Sequence, residues 1–332
     1  MPQTVKASPR SLGKLSQWGL RLLGVVLLAF LLTRVDLQQI FRTYQQSDKW
    51  LILLVICGLL PVFFLKTLRW LAMLRAQHLH MRIMPAFAAY LGSFFVGVLT
   101  PGRLGEFIKA MYVSRECNVS VAHGLSSVLA DRLFDLCILM MVGSVAIFQL
   151  SPSINVAVAF GVAVLLLTVS LVAILNDHSF SFVKAVGLKL GWAGQKMFGT
   201  RGLLVDLREG LRQFTPGSII AGAALTVLAY AAYFGQCYLL TRALRMNISY
   251  SNAAFAVSIG GLITLLPVSI SGVGTRDAAI VFYLKQYAVS TETALSYSLL
   301  FFFVFYLVNG LIGAVAWWGY PIPLSSAQEE LP

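Results

Sequence analysis

Charged side chains are scarce in this sequence, and acidic ones are the fewest. Of the 332 residues only 11% are charged and 58% are hydrophobic, whereas about a quarter of the residues of a soluble domain are charged. There are 13 acids against 25 lysines and arginines. So few charges cannot cover a sizeable soluble domain with polar surface. The composition therefore predicts one integral membrane domain over residues 1–332.

Motifs that mark common enzyme classes are also missing. The sequence has no Asp-x-Asp, no histidine-rich motif and no glycine-rich nucleotide loop, and its four cysteines show no Cys-x-x-Cys spacing. We therefore predict no catalytic residue, metal site or cofactor. The net charge of +12 lies mainly between apolar runs. Membrane orientation and attraction to anionic lipids explain that pattern better than binding to nucleic acid does.

Apolar runs of about the length that a bilayer requires, roughly 20 residues, recur along the chain. They predict an all-α polytopic membrane protein with about six transmembrane helices and two re-entrant helical hairpins. No small-residue cleavage site follows the first run, which favours a retained helix over a signal peptide. The six spans are expected near 15–33, 50–68, 121–148, 154–175, 218–240 and 293–320.

Two other apolar segments, 84–113 and 251–288, are too long and too interrupted to be ordinary spans. Proline and clustered glycines break a helix, and the freed backbone groups need protein or water partners because lipid offers none. Each segment is therefore predicted to form a helix–break–helix hairpin that lines a cavity. The residues expected at the two breaks are Pro101, Gly102, Gly105, Pro267, Gly272 and Gly274.

The distribution of basic residues predicts the orientation. The N-terminus, the loop 69–82 and the connection 176–217 are all basic, and all three are cytoplasmic only if the segment 84–113 enters and leaves on the same side. Both termini are then cytoplasmic. The halves 1–150 and 151–320 form an inverted repeat, an arrangement characteristic of transporters.

Two details of this topology remain open. Arg242 and Arg245 fall on the outer side, which runs against the charge rule. The connection 176–217 interleaves basic and aromatic residues, which predicts amphipathic helices in the headgroup plane, with an ordinary cytoplasmic loop as the alternative.

Charged residues also fall inside the predicted membrane segments, where each costs on the order of several kcal/mol unless it is paired or hydrated. One cluster follows the first break, a second lies in "VLADRLFDL", and a third follows the second break. They are the predicted substrate-binding residues, with structural ion pairs between helices as the alternative. These residues are Arg103, Glu106, Lys109, Asp131, Arg132, Asp135, Arg276 and Asp277.

The chemistry of these clusters suits a phosphate. If the two breaks meet near mid-membrane, Arg103 and Arg276 can bind the anion through their guanidinium forks. Half-helix N-termini after Gly102 and Gly274 add positive potential there. Glu106, Asp131 and Asp277 are expected to pair with the arginines while the site is empty, or to exchange a proton.

Elsewhere, the basic side chains of "KTLRW" are predicted to face the headgroups. Lys66 and Arg69 are expected to snorkel to the cytoplasmic interface, where Trp70 acts as an aromatic anchor, with a role in substrate binding as the alternative.

Three stretches carry a family resemblance: "LTPGRLGEFIKAMYV", "VLADRLFDL" and "SISGVGTRDAAIVFYL". They resemble the motifs of the lysylphosphatidylglycerol synthase transmembrane region family, the flippase-like domain of the multiple peptide resistance factor, which also occurs as stand-alone proteins. The resemblance runs over nearly the whole chain, without the aminoacyl-transferring domain of the full-length synthase. It implies movement of a lipid or lipid-linked headgroup across the membrane. Some stand-alone members are associated with polyprenyl-linked sugars or hopanoids, so the resemblance leaves the cargo open.

The predicted function is a flippase or scramblase of the cytoplasmic (inner) membrane. Its substrate is expected to be an anionic phospholipid or a polyprenyl-phosphate-linked lipid. Membrane lipids are thus the expected partners, while a homo-oligomer or a lipid-synthesising enzyme partner is left open. The alternatives are a membrane-embedded lipid-phosphate or glycosyl transferase, an accessory to one, or a small-solute transporter.

Overall fold

The structure of the protein, a computed structural model, describes residues 37–100, 102–150, 176–188, 202–265, 269 and 271–321. Its regular elements in these ranges are all helical, which confirms the all-α prediction. Four helices are long and apolar enough to cross a membrane, and they coincide with four of the six predicted spans. The four are Lys49–Ala76, Val121–Leu150, Pro216–Ala243 and Thr291–Gly319. The other two predicted spans, 15–33 and 154–175, lie outside the described residues.

The described helices are numbered in chain order. They are α1 (Leu37–Gln45), α2 (Lys49–Ala76), α3 (Ile83–Val98), α4 (Lys109–Cys117), α5 (Val121–Leu150), α6 (Asp177–Leu188), α7 (Leu203–Arg212), α8 (Pro216–Ala243), α9 (Tyr250–Leu265), α10 (Thr275–Lys285), α11 (Thr291–Phe302) and α12 (Asn309–Gly319). A 3₁₀ turn, Leu104–Ile108, leads into α4. A π-helical turn, Phe303–Val308, joins α11 to α12 within one span.

Polar caps mark where the spans begin. The carboxylate of Asp48 accepts hydrogen bonds from the backbone N–H groups of Trp50 and Leu51 at the start of α2. Thr215 caps α8 in the same way and is followed by proline at the first helical position. These caps satisfy backbone donors that have no partner within the helix.

The first hairpin enters and leaves at one end of the bundle, here called the first end. The thiol of Cys117, at the end of α4, lies 3.9 Å from the carbonyl oxygen of His80, just before α3. Gln77 donates to the carbonyl oxygen of Gly210 at 2.9 Å, which brings α7 to the same end. The predicted arrangement of the loop 69–82 and the connection 176–217 on one side is therefore present in the structure.

The second hairpin enters and leaves at the opposite end, the second end. The hydroxyl of Tyr283 on α10 donates to the side-chain oxygen of Asn252 on α9, at 3.4 Å. At this end the backbone N–H of Asp48 donates to the carbonyl oxygen of Ala243 at 2.9 Å. The two hairpins thus insert from opposite ends, as the paired breaks predicted.

The hairpin tips meet about halfway through the bundle. The entering arms α3 and α9 each have 16 residues, or about 24 Å, against roughly 42–45 Å for the full spans. The hydroxyl of Ser271 in the second tip donates to the carbonyl oxygen of Val98 in the first. The tips therefore contact each other directly, at the depth expected for the two breaks.

Left-handed backbone conformations make both breaks. Gly102 (φ +61°) and Arg103 (φ +58°) reverse the chain in the first tip. Ser271, Gly272 (φ +73°) and Gly274 (φ +79°) do so in the second. Glycine adopts this conformation without strain, whereas a residue with a Cβ loses about 1–2 kcal/mol. The two predicted break prolines, Pro101 and Pro267, lie outside the described residues.

Gly105 serves close packing at the first break. A Cβ built at this position would lie 2.5 Å from the carbonyl oxygen of Val96. The 3₁₀ turn therefore approaches the backbone of α3 more closely than any residue with a side chain allows.

The packing of the hairpins is reciprocal. The entering arm of the first hairpin, α3, packs on α12, and the entering arm of the second, α9, packs on α5. Each arm thus lies against the last described span of the other half, while α2 and α8 pack against each other. An inverted repeat produces reciprocal contacts of this kind. The division into halves at residue 150 stays a prediction.

The connection 176–217 contains two described helices, α6 and α7. The carboxylate of Asp177 accepts hydrogen bonds from Arg212 at 2.8 Å and from Arg208 at 2.7 Å, which lower the pKa of Asp177 to about 2. Leu207 and Leu211 are buried, on a helix that packs on α5. The prediction of helices in this connection is confirmed for α6 and α7. Residues 189–201 lie outside the described residues. The position of the helices in the headgroup plane stays a prediction.

This topology predicts the outcome of cysteine labelling. In a variant without native cysteines, His78→Cys and Asn118→Cys are expected to react with an impermeant maleimide from the same side of the membrane. Arg245→Cys, beyond the second-end terminus of α8, is expected to react only from the other side. Labelling of positions 78 and 118 from opposite sides would contradict the re-entrant hairpin.

Candidate substrate-binding site

A cavity of about 330 Å³ lies where the two hairpin tips meet the spans. Most of the residues that line it are apolar, from α2, α3, α5, α8, α9 and the π-helical turn. Its charged lining comes from both hairpins and from two of the spans. These charged residues are Lys66, Arg103, Glu106, Arg132, Asp135 and Arg276.

Asp131 is the buried centre of the ion network behind the cavity. One of its oxygens accepts two hydrogen bonds from Arg69, at 2.8 and 2.6 Å. The other accepts from Lys109 at 2.7 Å and from Tyr90 at 3.0 Å. The four side chains come from α2, α3, α4 and α5, and the three charged ones have no exposed side-chain surface. One carboxylate therefore ties four helices together.

Asp135, one turn further along α5, connects this network to the cavity. Arg69 donates to it at 2.8 Å and Lys66 at 3.3 Å. Arg132 approaches the other carboxylate oxygen at 3.9 Å. The i and i+4 spacing of Asp131 and Asp135 lets one arginine bridge both carboxylates.

Glu106, in the 3₁₀ turn, holds the first tip against α5. It lies 2.7 Å from the Nε atom of Arg103 and forms a second ion pair with Arg132. The sequence predicted that Glu106 would pair with Arg103 and Arg276. That prediction is wrong for Arg276, because Arg132 on the neighbouring span occupies the second oxygen.

Arg276, in the second tip, pairs with Asp277 and lies against the ring of Tyr306. Its Nη2 atom donates to Asp277 at 2.5 Å, and Asp277 also accepts from Ser298 at 2.6 Å and from the backbone N–H of Gly274 at 2.8 Å. The Nη1 atom is buried and has no hydrogen-bond partner among the described residues. This nitrogen is therefore a donor available to a ligand in the cavity.

Tyr306 lies between the two tip arginines. Its ring centre is 4.8 Å from the guanidinium carbon of Arg276 and 5.9 Å from that of Arg103. The residue belongs to the π-helical turn Phe303–Val308; such turns are frequent at functional sites. Aromatic faces stabilise cations at this range, so one ring contacts a cation from each hairpin.

The predicted site residues fall into two groups. Five of them line the cavity: Arg103, Glu106, Arg132, Asp135 and Arg276. The other three, Lys109, Asp131 and Asp277, lie behind it as partners of other charged residues. The structure thus brings the three sequence clusters together, and substrate binding stays a prediction.

The helix N-termini expected after the two breaks are only partly present. A 3₁₀ turn of five residues, rather than an α-helix, follows the first break. At the second break the backbone N–H of Gly274 already donates to Asp277. The positive charge of the cavity therefore comes from side chains.

Three residues of "KTLRW", Lys66, Arg69 and Trp70, were placed wrongly from the sequence. Arg69 is fully buried, and Lys66 lines the cavity, so neither snorkels to the headgroups. Trp70 is also fully buried and donates to Ser127 at 3.1 Å, so it is not an interfacial anchor. The sequence signal for Lys66 and Arg69 was their i and i+3 spacing, which places both on one face of α2. Asp131 and Asp135 lie on one face of α5 in the same way, so the two pairs can meet.

The sequence is similar to a membrane-protein family over most of its length. A family model described as "Lysylphosphatidylglycerol synthase TM region" matches residues 17–313. A UPF0104 membrane protein of Methanocaldococcus jannaschii is 21% identical over 229 residues, which cover 67% of this chain and 92% of that protein. A UPF0104 membrane protein of Methanothermobacter thermautotrophicus is 22% identical over 331 residues, or 93% of this chain and 96% of that one.

No solved structure matches the chain. The family match covers both hairpins and all four described spans, apart from the last residues of α12. The chain is therefore a multi-pass membrane protein that belongs to the lysylphosphatidylglycerol synthase transmembrane region family.

Proposed function

We propose that this protein moves an anionic lipid across the cytoplasmic membrane, as a flippase or scramblase and not as an enzyme. The observation that carries the proposal is the cavity at half depth, where cationic side chains from two opposed hairpins converge within a mostly apolar wall. A phospholipid or polyprenyl-phosphate lipid has the matching division into a charged headgroup and apolar tails.

The charged residues suit a phosphate headgroup. Arg276 offers its free Nη1 donor, and Arg103 faces the same cavity from the other tip. Planar guanidinium groups match phosphate oxygens in geometry as well as charge. The headgroup then crosses among these side chains while the tails stay in lipid, which avoids the large cost of placing a bare phosphate in hydrocarbon.

The proposed orientation has the first end in the cytoplasm. The basic connection 176–217 is at that end, through the contact of Gln77 with Gly210. The C-terminal region is there as well, because Tyr112 donates to the carbonyl oxygen of Tyr320 at 2.7 Å. The charge rule favours this orientation, although Arg245 lies at the second end.

Reconstitution tests the proposal directly. Proteoliposomes with fluorescent anionic phospholipid in both leaflets are treated with a membrane-impermeant quencher, and the loss of signal from the inner leaflet is followed. Protein-dependent exchange of the inner pool is expected, with liposomes lacking protein as the control. Absence of exchange for phosphatidylglycerol, phosphatidic acid and a polyprenyl phosphate alike would contradict the proposed function.

A further inference from the structure

The ion network around the cavity carries more positive than negative charge. Six cationic side chains take part: Lys66, Arg69, Arg103, Lys109, Arg132 and Arg276. Four carboxylates oppose them: Glu106, Asp131, Asp135 and Asp277. Six cations against four carboxylates leave an excess of two positive charges among the described residues.

The excess belongs to the first half of the chain. Arg276 and Asp277 form a closed pair at 2.5 Å, which accounts for one charge of each sign. The remaining five cations share only Glu106, Asp131 and Asp135, so each of these carboxylates contacts two or more cations. Further protein carboxylates are absent from this network as the described residues show it.

Four cations, Lys66, Arg103, Arg132 and Arg276, and two carboxylates, Glu106 and Asp135, line the cavity. The side chains of Lys66, Arg103 and Arg132 are 19%, 22% and 20% exposed, respectively. The side chain of Glu106 is 1% exposed and that of Asp135 is 11% exposed. In the first-half ion pairs whose two members both line the cavity, the cation is therefore the more exposed partner.

Uncompensated charge at membrane depth is strongly unfavourable, since little water is available to solvate it. A ligand with one negative charge leaves half of the excess uncompensated, whereas a ligand with two neutralises it. A phosphate monoester carries close to two negative charges at neutral pH and has three terminal oxygens as acceptors. A phosphodiester carries one charge and has two such oxygens.

We propose that the site selects a lipid whose headgroup ends in a phosphate monoester, over lipids in which the phosphate is a diester. The inference rests on the proposed function and narrows its substrate class. The dianion is recognised by Lys66, Arg103 and Arg132 from the first half and by the free nitrogen of Arg276 from the second.

The test compares headgroups on one lipid tail. Proteoliposomes at pH 7 carry tail-labelled phosphatidic acid or tail-labelled phosphatidylglycerol with identical acyl chains. Exchange is expected to be at least about 10-fold faster for phosphatidic acid, since one further charge is neutralised. Lys66→Met removes one cation from the cavity wall and is expected to shrink that ratio toward one.

The outcomes separate the two claims. Equal or faster exchange of phosphatidylglycerol overturns the monoester preference and leaves lipid transport standing. A ratio that Lys66→Met does not change overturns the charge argument, provided that the variant elutes as folded protein. A third arm supplies inorganic phosphate: its uptake without exchange of either lipid contradicts the proposed function and identifies a free dianion as the ligand.

Discussion

Replacement of Arg276 by alanine is expected to reduce lipid exchange by about two orders of magnitude or more, because it removes a desolvated cation that contacts the phosphate. The substitution also leaves the buried carboxylate of Asp277 without its cation, which costs about 3–5 kcal/mol. Asp277 keeps its hydrogen bonds from Ser298 and from the backbone of Gly274, and exchange is therefore compared per folded molecule. Arg276→Lys is expected to restore little activity, because lysine keeps the charge and loses the planar fork. Exchange rate and melting temperature are measured on the same purified variants.

Ser298→Ala is the matched control for that experiment. Ser298 donates to the same carboxylate but does not line the cavity. We expect the loss of the Ser298 hydroxyl to lower the melting temperature by a few degrees, because one hydrogen bond worth about 1 kcal/mol is removed. The rate of lipid exchange is expected to stay unchanged. Full exchange in Arg276→Ala, or losses in all variants that follow melting temperature alone, would exclude a binding role for Arg276.

The second large effect concerns stability: Asp131→Asn is expected to prevent most of the protein from folding. The substitution keeps the shape of the side chain and removes the charge on which Arg69 and Lys109 converge. Leaving a buried charge without its partner costs about 3–5 kcal/mol, a large share of a typical net stability of about 5–15 kcal/mol. The yield of monodisperse protein in detergent and its melting temperature measure the loss.

Asp177→Asn provides the comparison for Asp131→Asn. The carboxylate of Asp177 is also paired with two cations, but its side chain is largely exposed. Ion pairs of this kind contribute about 0–1 kcal/mol. The yield and melting temperature of Asp177→Asn are therefore expected to match those of the unaltered protein. If the yield and melting temperature of Asp131→Asn also matched those of the unaltered protein, Asp131 would not be the group that ties α2, α3, α4 and α5 together.

The architecture was predictable because the membrane imposes its own length scale. Apolar runs of about 20 residues located four described spans, and proline and glycine within two longer segments located the hairpins. The first described span was underestimated: the prediction ended at residue 68, whereas α2 continues to Ala76. The charges of Lys66 and Arg69 were taken as the edge of the membrane, although Asp131 and Asp135 neutralise them inside the protein.

The candidate site was predictable in its residue types more than in its pairings. Charge at membrane depth singled out Arg103, Glu106 and Arg276 without any structure. The partner of Glu106 depends on the rotation of α5 against the first tip, which no local pattern records. Tyr306 carried no signal either, since an aromatic residue in an apolar span is ordinary. The π-helical turn that places it between the arginines is a feature of backbone geometry.

The contact between the hairpin tips has an electrical consequence. Val98 and Ser271 meet where two half-length arms end, about halfway through the bundle. A barrier concentrated in a short region carries most of the membrane potential, and one elementary charge crossing the full potential changes in energy by about 2.3 kcal/mol per 100 mV. For a headgroup with two charges the figure is about twice as large. Under the proposed function, we therefore expect passage between the tips to depend on voltage, with the potential driving an anionic headgroup toward the positive side of the membrane.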